Sequence, residues 1–435
     1  MRQTLAQARS FNLPIRLLFF NQLTINIGFY MLMPYLANHL SGNLGLAAWL
    51  VGLILGIRNL SQQGMFLFGG SLADRLGYKP MILTGLLLRT TGFVLLGFVT
   101  ALPALIVSSA LIGLAGAFFN PAARAYLAQE AGERKAEAFA VFNVFYQAGI
   151  LIGPLIGLVL NGVAFQWGCV VAAGLFLLLT VFQLHALPAR RGSQADSEQT
   201  MIADWRDALK NRGFLLFSLA MIGSYILNFQ VYLGLPIEVQ RLTGSQFGVA
   251  ALFAVSGVIA IFGQVRVTSS AKARWTPAQA VTRGLALMGL SFLPLAVAAP
   301  FASLFRLPDN AQPWYLPEHL LAYAFTLGPV LLTTALLTLA TLLVYPFEMA
   351  TIVTLGGERM VGTYYGLYST LTGIGIAAGN LLTGAALDAG HTTGAPWLPW
   401  FALAATGAVC AAAIWRLDRS RLLDRVPAEK QAVAA

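Results

Sequence analysis

Twelve apolar stretches, each about as long as a membrane-crossing helix, follow one another through the 435-residue chain with only short polar gaps between them. A helix needs about 20 apolar residues to cross the hydrocarbon core of a bilayer. The stretches run Leu13–Leu36, Ala47–Ser71, Pro80–Val99, Ala104–Leu127, Phe139–Leu160, Phe165–Leu187, Phe214–Leu235, Phe247–Val267, Ala278–Ala298, Leu331–Leu355, Gly362–Leu387 and Trp397–Trp415. They predict an all-α integral membrane protein. The stretch from His319 to Leu355 exceeds one crossing. Its second part is expected to cross and its first part to lie in or near the outer interface.

Composition agrees. Hydrophobic residues make up 57% of the chain and charged residues 10%, against about 25% charged in a soluble domain. The net charge of +10 does not point to nucleic acid, because the basic residues sit in the gaps between spans and form no polar face. Cys169 and Cys410 fall inside apolar runs, and the four histidines (His39, His185, His319, His391) are scattered. A disulfide, a metal site and a cofactor are therefore not expected. No phosphate-binding GxxxxGK[ST] loop is present, so ATP hydrolysis is not the expected driving force. The first apolar run has no small-residue cleavage site and reads as a membrane helix, not a signal peptide.

Topology follows from the basic residues. An even number of spans puts both ends on one side. With the ends inside, the inner segments hold 22 of the 27 Lys and Arg, and only Arg241 and Arg306 fall outside. The asymmetry predicts cytoplasmic termini.

The longest polar segment, between Leu187 and Arg212, divides the spans six and six. Expected boundaries are an N-terminal bundle 1–187, a cytoplasmic linker 188–212, a C-terminal bundle 213–416 and a tail 417–435. An internal repeat supports the division. Pro121 and Gly132-Glu133-Arg134 recur as Pro346 and Gly357-Glu358-Arg359 at an offset of 225, and Gly149-x-x-x-Gly153 recurs as Gly375-x-x-x-Gly379 at 226. Duplicated six-helix halves place a binding site between them, near the bilayer midplane.

The gap after the second span reads Gly69-Gly70-Ser71-Leu72-Ala73-Asp74-Arg75-Leu76-Gly77-Tyr78-Lys79-Pro80. It resembles the G-x-L-A-D-R-x-G-x-K signature of the major facilitator superfamily. Glycines permit a tight turn there, and an acid can face a positive helix N-terminus. The resemblance implies a conformational gate of Gly69, Asp74, Arg75, Gly77 and Lys79, with Asp74 docking near Gly362-Thr363 and Arg75 pairing with Glu130. The competing reading is that the charges only set topology.

In the fifth span, Gly149, Gly153, Pro154 and Gly157 make one smooth helix face for close packing. They resemble the G-x-x-x-G-P-x-x-G-G motif of the drug antiporters in that superfamily, with Leu158 at its last position. The run VGLILGIRNLSQQGMFLFGGSLADRLGYKPMILTGLLLRTTGF, Val51 to Phe93, is similar to the MdtH-like group of drug:proton antiporters. Two departures leave the coupling mechanism open. Where related exporters carry an acid, the first span has Asn21, Gln22 and Asn26, and the arginine-centred motif of the fourth span is replaced by Asn120-Pro121-x-x-Arg124.

Charge at membrane depth costs about 2.5–3.5 kcal/mol on insertion scales, so each instance calls for a function. Arg58 lies near the middle of the second span and Arg89 about nine residues into the third, roughly 14 Å at 1.5 Å per residue. Arg124, near the inner end of the fourth, can snorkel. Glu348, after Tyr345-Pro346, is the one acid well inside an assigned span. It is the candidate proton carrier, with a static ion pair as the competing reading. Arg58 reads either as a contact to anionic substrate groups or as a structural partner of groups such as Gln62.

Polar residues also recur at helical spacing. Asn26, Asn143, Gln147, Tyr225, Asn228, Tyr365 and Tyr368, with Arg58, are the candidate cavity residues. A few polar groups on an apolar, aromatic wall suit an amphipathic organic substrate. Together these features predict a monomeric, proton-coupled exporter of small molecules in the bacterial inner membrane, surrounded by lipid and working by alternating access. A dedicated exporter of one metabolite such as a siderophore, or a proton-coupled importer, are the alternatives within transport. An intramembrane enzyme lacks a nucleophile with its base, and a receptor need not show a six-plus-six repeat.

Overall fold

The computed structural model describes residues 8–131, 134–161, 164–188, 206, 208–244, 247–301, 317–356 and 361–423. All regular structure among them is helical. Among the described residues, eleven helices are long and apolar enough to cross a membrane. The second predicted span accounts for the difference: it is split into Ala48–Gly64 and Phe66–Leu76. The break falls at Met65, whose φ of −97° and ψ of 3° leave the helical basin.

Sequence signals set the helix starts. Asn12 caps Leu13–Tyr30 by accepting from the Ile15 N–H, and Asn211 caps Arg212–Asn228 by accepting from the Phe214 N–H. Thr276 and Gln279 close a capping box at Pro277–Leu290. Each device satisfies N–H groups that the helix itself leaves unbonded. The predicted tenth span lies within a single helix, Pro317–Gly356, of 40 residues, continuous through Pro329 and Pro346. The part expected in or near the outer interface is the first stretch of that same helix.

By its contacts the chain forms two compact units. The first comprises Met1–His39 and Ile57–Asp196, the second Leu40–Gly56 and Ser197–Ala435. The same partners recur in each. In the first unit, the first span packs on the fifth, the second on the fourth, and the third on the fourth and sixth. In the second unit, the seventh packs on the eleventh, the eighth on the tenth, and the ninth on the tenth and twelfth. The linker 189–205 and the tail from 424 lie outside the described residues.

Glycine sets the closest approaches. A Cβ on Gly149, Gly153 or Gly157 would come within 2.5 Å of Asn26, 2.8 Å of Tyr30 and 2.1 Å of the Met31 carbonyl, respectively. The fifth span therefore lies directly on the backbone of the first, over three successive turns. In the second unit, Gly375 and Gly379 make room for the side chains of Ile222 and Ile226 of the seventh span. Outward faces carry exposed Val159, Leu178, Phe262 and Leu382, an apolar coat suited to lipid tails.

Candidate functional site

In the second unit the polar centre is Glu348. It is 2% exposed and sits in the long helix two residues after Pro346. Tyr368, from the eleventh span, donates its hydroxyl to Glu348 Oε1 at 2.5 Å. Tyr225, from the seventh span, lies beside the same carboxyl. The two tyrosine rings meet edge to face at 5.9 Å, and Phe217 stacks on Tyr368 at 6.5 Å. Three spans thus hold one carboxyl in a collar of aromatic rings. Among the described residues its hydrogen-bond partner is the neutral Tyr368 hydroxyl, not an arginine; the one acid–base pair described in this unit is Glu238 with Arg241.

The other second-unit candidates lie near this collar along the same helices. Tyr365 donates to the Met349 carbonyl at 2.9 Å, and Asn228 accepts from Thr341 at 3.4 Å. Asn211 joins the foot of the seventh span to the end of the tenth through the Leu355 carbonyl.

In the first unit the polar centre is a pair of arginines. Arg58 and Arg89 are each 5% exposed. Both guanidinium carbons lie 5.4 Å from the centre of the Phe29 ring, and Arg89 also lies 5.8 Å from that of Phe176. Phe93 stacks on Phe176 at 5.5 Å. Arg58 donates to Asn59 at 2.5 Å and to Gln62 at 3.5 Å. The Gln62 contact expected for a structural role is therefore present at its outer limit. Arg89 makes no hydrogen bond among the described residues, and its buried Nε is unsatisfied. Two charges that share a ring at 5.4 Å can be no more than about 11 Å apart and repel by at least about 1.5 kcal/mol at an effective dielectric of ~20.

Asn26 donates to the Tyr146 carbonyl at 3.0 Å, so it serves the contact between the first and fifth spans. Asn143 and Gln147, on that same fifth span, are exposed. Tyr35 donates to the Pro154 carbonyl at 2.6 Å, which gives the glycine-rich face a polar anchor. The segment read as a loop from Gly69 is helical to Leu76 and turns only at Gly77; within that helix a Cβ on Gly69 would meet the Ala117 carbonyl at 2.1 Å. Gly77 has φ 96° and ψ 154°, a conformation essentially reserved for glycine. Lys79 donates to the Leu184 carbonyl at 2.8 Å, and Glu130 accepts from Asn12 at 2.7 Å. The side chains of Asp74 and Arg75, and those at Gly362 and Thr363, lie outside the described residues.

One polar contact escaped the sequence reading. Asp388 accepts hydrogen bonds from the Ala48 N–H at 3.0 Å and the Trp49 N–H at 2.9 Å, so the eleventh span caps the start of Ala48–Gly64. Its sequence signal is an acid one residue beyond the apolar run, easily taken for interfacial.

Apolar spans with isolated polar centres at membrane depth, built twice on one packing pattern, define a multi-pass membrane carrier. The family model for the Major Facilitator Superfamily matches residues 18–357. The chain belongs to the major facilitator superfamily and is a transporter, not an enzyme. It is 47% identical over 412 residues to an uncharacterized MFS-type transporter of Mycobacterium tuberculosis, covering 94% of each chain. It is 31% identical over 419 residues to the multidrug resistance protein MdtH of Yersinia pestis, covering 96% of this chain and 97% of that one. Among solved structures it is similar to the nucleoside transporter NupG (TM-score 0.74, 14% identity, 93% of this chain and 100% of that one). It is also similar to an auto-inhibited POT family peptide transporter (TM-score 0.73, 17% identity, 94% and 97%).

Proposed function

We propose that this transporter exports small amphipathic organic molecules by alternating access, driven by inward proton flow across the bacterial inner membrane, with both termini cytoplasmic. The observation that carries the reading is Glu348. A carboxyl enclosed at membrane depth, with the Tyr368 hydroxyl as its described partner, can take up and release a proton without first breaking a salt bridge. The likeness to MdtH along nearly the whole chain supports a multidrug-type substrate range. The glycine face of the fifth span supports export over import. Gly69, Asp74, Arg75, Gly77, Lys79 and Glu130 would form the gate that biases one conformation.

The test is drug flux in proteoliposomes under an imposed pH gradient, with Glu348→Gln as the diagnostic variant. Proton-driven flux should fall by at least about tenfold, while gradient-independent counterflow of the same drug persists. Wild-type proton-driven flux in the variant, at equal protein, would remove Glu348 from the coupling step.

A further inference from the structure

The arginine pair of the first unit has a property that helix packing does not explain. Arg58 is the eleventh residue of Ala48–Gly64 and Arg89 the twelfth of Tyr78–Phe98, so each lies about 15 Å from the start of its helix at 1.5 Å per residue. A guanidinium does not shed its proton to relieve burial. A structural arginine at such depth is expected to meet a carboxylate. None is available from this unit's spans: between Leu13 and Leu127 the one acid is Asp74, at the far end of the second span, and between Phe139 and Leu187 there is none. Arg89 instead rests between the rings of Phe29 and Phe176, with a sealed Nε that bonds to nothing.

We propose that Arg58 and Arg89 form an anion-binding site, and that the substrates of this transporter include organic anions in which a carboxylate or sulfonate is joined to a flat apolar body. The anion supplies the countercharge that this unit's spans do not place at that depth. Arg89 offers an uncommitted guanidinium, and Arg58 adds a second positive charge held by the neutral groups of Asn59 and Gln62. The half-buried ring of Phe29, which both guanidinium groups share, gives the apolar body a surface to lie on, with the fully buried Phe93–Phe176 stack behind it. The substrate class rests on the exporter reading above; the anion site does not.

The experiment uses the purified full-length protein and three probes: hippurate (an aromatic carboxylate), its neutral amide hippuramide, and the lipophilic cation tetraphenylphosphonium. Equilibrium binding of labelled hippurate should be saturable and at least about tenfold tighter than that of hippuramide. Arg89→Gln should weaken hippurate binding at least about tenfold, and Arg89→Lys, which keeps the charge but not the fork, should weaken it less. Melting temperatures without probe check that each variant is folded. If Arg89→Gln does not fold, the wild-type preference for hippurate over hippuramide still decides. Equal binding of the two probes, or hippurate binding unchanged in folded Arg89→Gln, overturns the site. Flux separates the two readings. Proton-driven movement of tetraphenylphosphonium without hippurate binding keeps the exporter and discards the anion site. Hippurate binding that depends on Arg89, with no proton-driven flux of any probe, keeps the site and discards the exporter.

Discussion

Tyr368 holds Glu348 from the next span along, its hydroxyl 2.5 Å from the carboxyl oxygen and its ring packed between those of Tyr225 and Phe217. The arrangement couples the position of a titratable group to the packing of two neighbouring helices. On the proposed reading, a proton gained or lost at Glu348 would change what the Tyr368 hydroxyl bonds to, and so act on the contact between the tenth and eleventh spans.

Tyr368→Phe is expected to loosen that coupling while keeping the ring packing. Losing one hydrogen bond to a charged group costs about 1.5–3 kcal/mol. The apparent Tm should fall, and the pH dependence of flux should change with little change in drug affinity. Parallel pH–flux curves for wild type and variant check this, and coincident curves would separate Tyr368 from coupling.

The contact between the first and fifth spans makes a sharper prediction, because it is backbone against backbone. Gly157→Ala places a Cβ 2.1 Å from the Met31 carbonyl oxygen. Overpacking of this kind costs about 1–3 kcal/mol and should lower the Tm in detergent. Gly174→Ala, where an added Cβ meets nothing within 4 Å, should leave the Tm unchanged or slightly raised. Equal effects at the two positions would refute the close approach.

Asp388→Ala removes an acceptor shared by the Ala48 and Trp49 N–H groups. Loss of an N-terminal cap costs about 0.5–2 kcal/mol, and the charge at a helix N-terminus adds about 0.3–1 kcal/mol. Asp388→Asn should lose less than Asp388→Ala. Amide exchange at Ala48 and Trp49 is the direct measurement, and protection unchanged in Asp388→Ala would count against the cap.

Gly77→Ala forces a side chain onto a backbone at φ 96°. The strain is of order 1–3 kcal/mol. The folded yield should drop while Gly70→Ala, with only Pro121 Cβ nearby at 3.8 Å, is tolerated. A thermal-stability comparison of the two variants checks it.

Much of this molecule could be read from its residues because lipid imposes a coarse rule. Long apolar runs must be helices, and a buried charge must have a reason to be there. Hence the spans, the glycine faces and the singling out of Glu348, Tyr225 and Tyr368. Pairwise geometry was less accessible. Periodicity puts Tyr368 on a helix face but not against Glu348. Nor does it show that Arg58 and Arg89, from different spans, share the Phe29 ring. The break at Met65 left no proline or glycine pair to announce it. Asp388 acts on residues 340 positions away, beyond the reach of any local pattern. Asn26, read as a cavity residue, is engaged with the Tyr146 carbonyl, a bond that spacing alone cannot distinguish from a ligand contact.

The helix Pro317–Gly356 contains 40 residues, about 60 Å of rod at 1.5 Å per residue. Hydrocarbon is about 30 Å thick, and tilts reach about 40°, so at least about 20 Å of that rod must emerge from the lipid. The carrier therefore extends a stiff arm beyond its own membrane boundary, where a reporter attached to the emergent turns would sit in water or among headgroups while moving rigidly with Glu348.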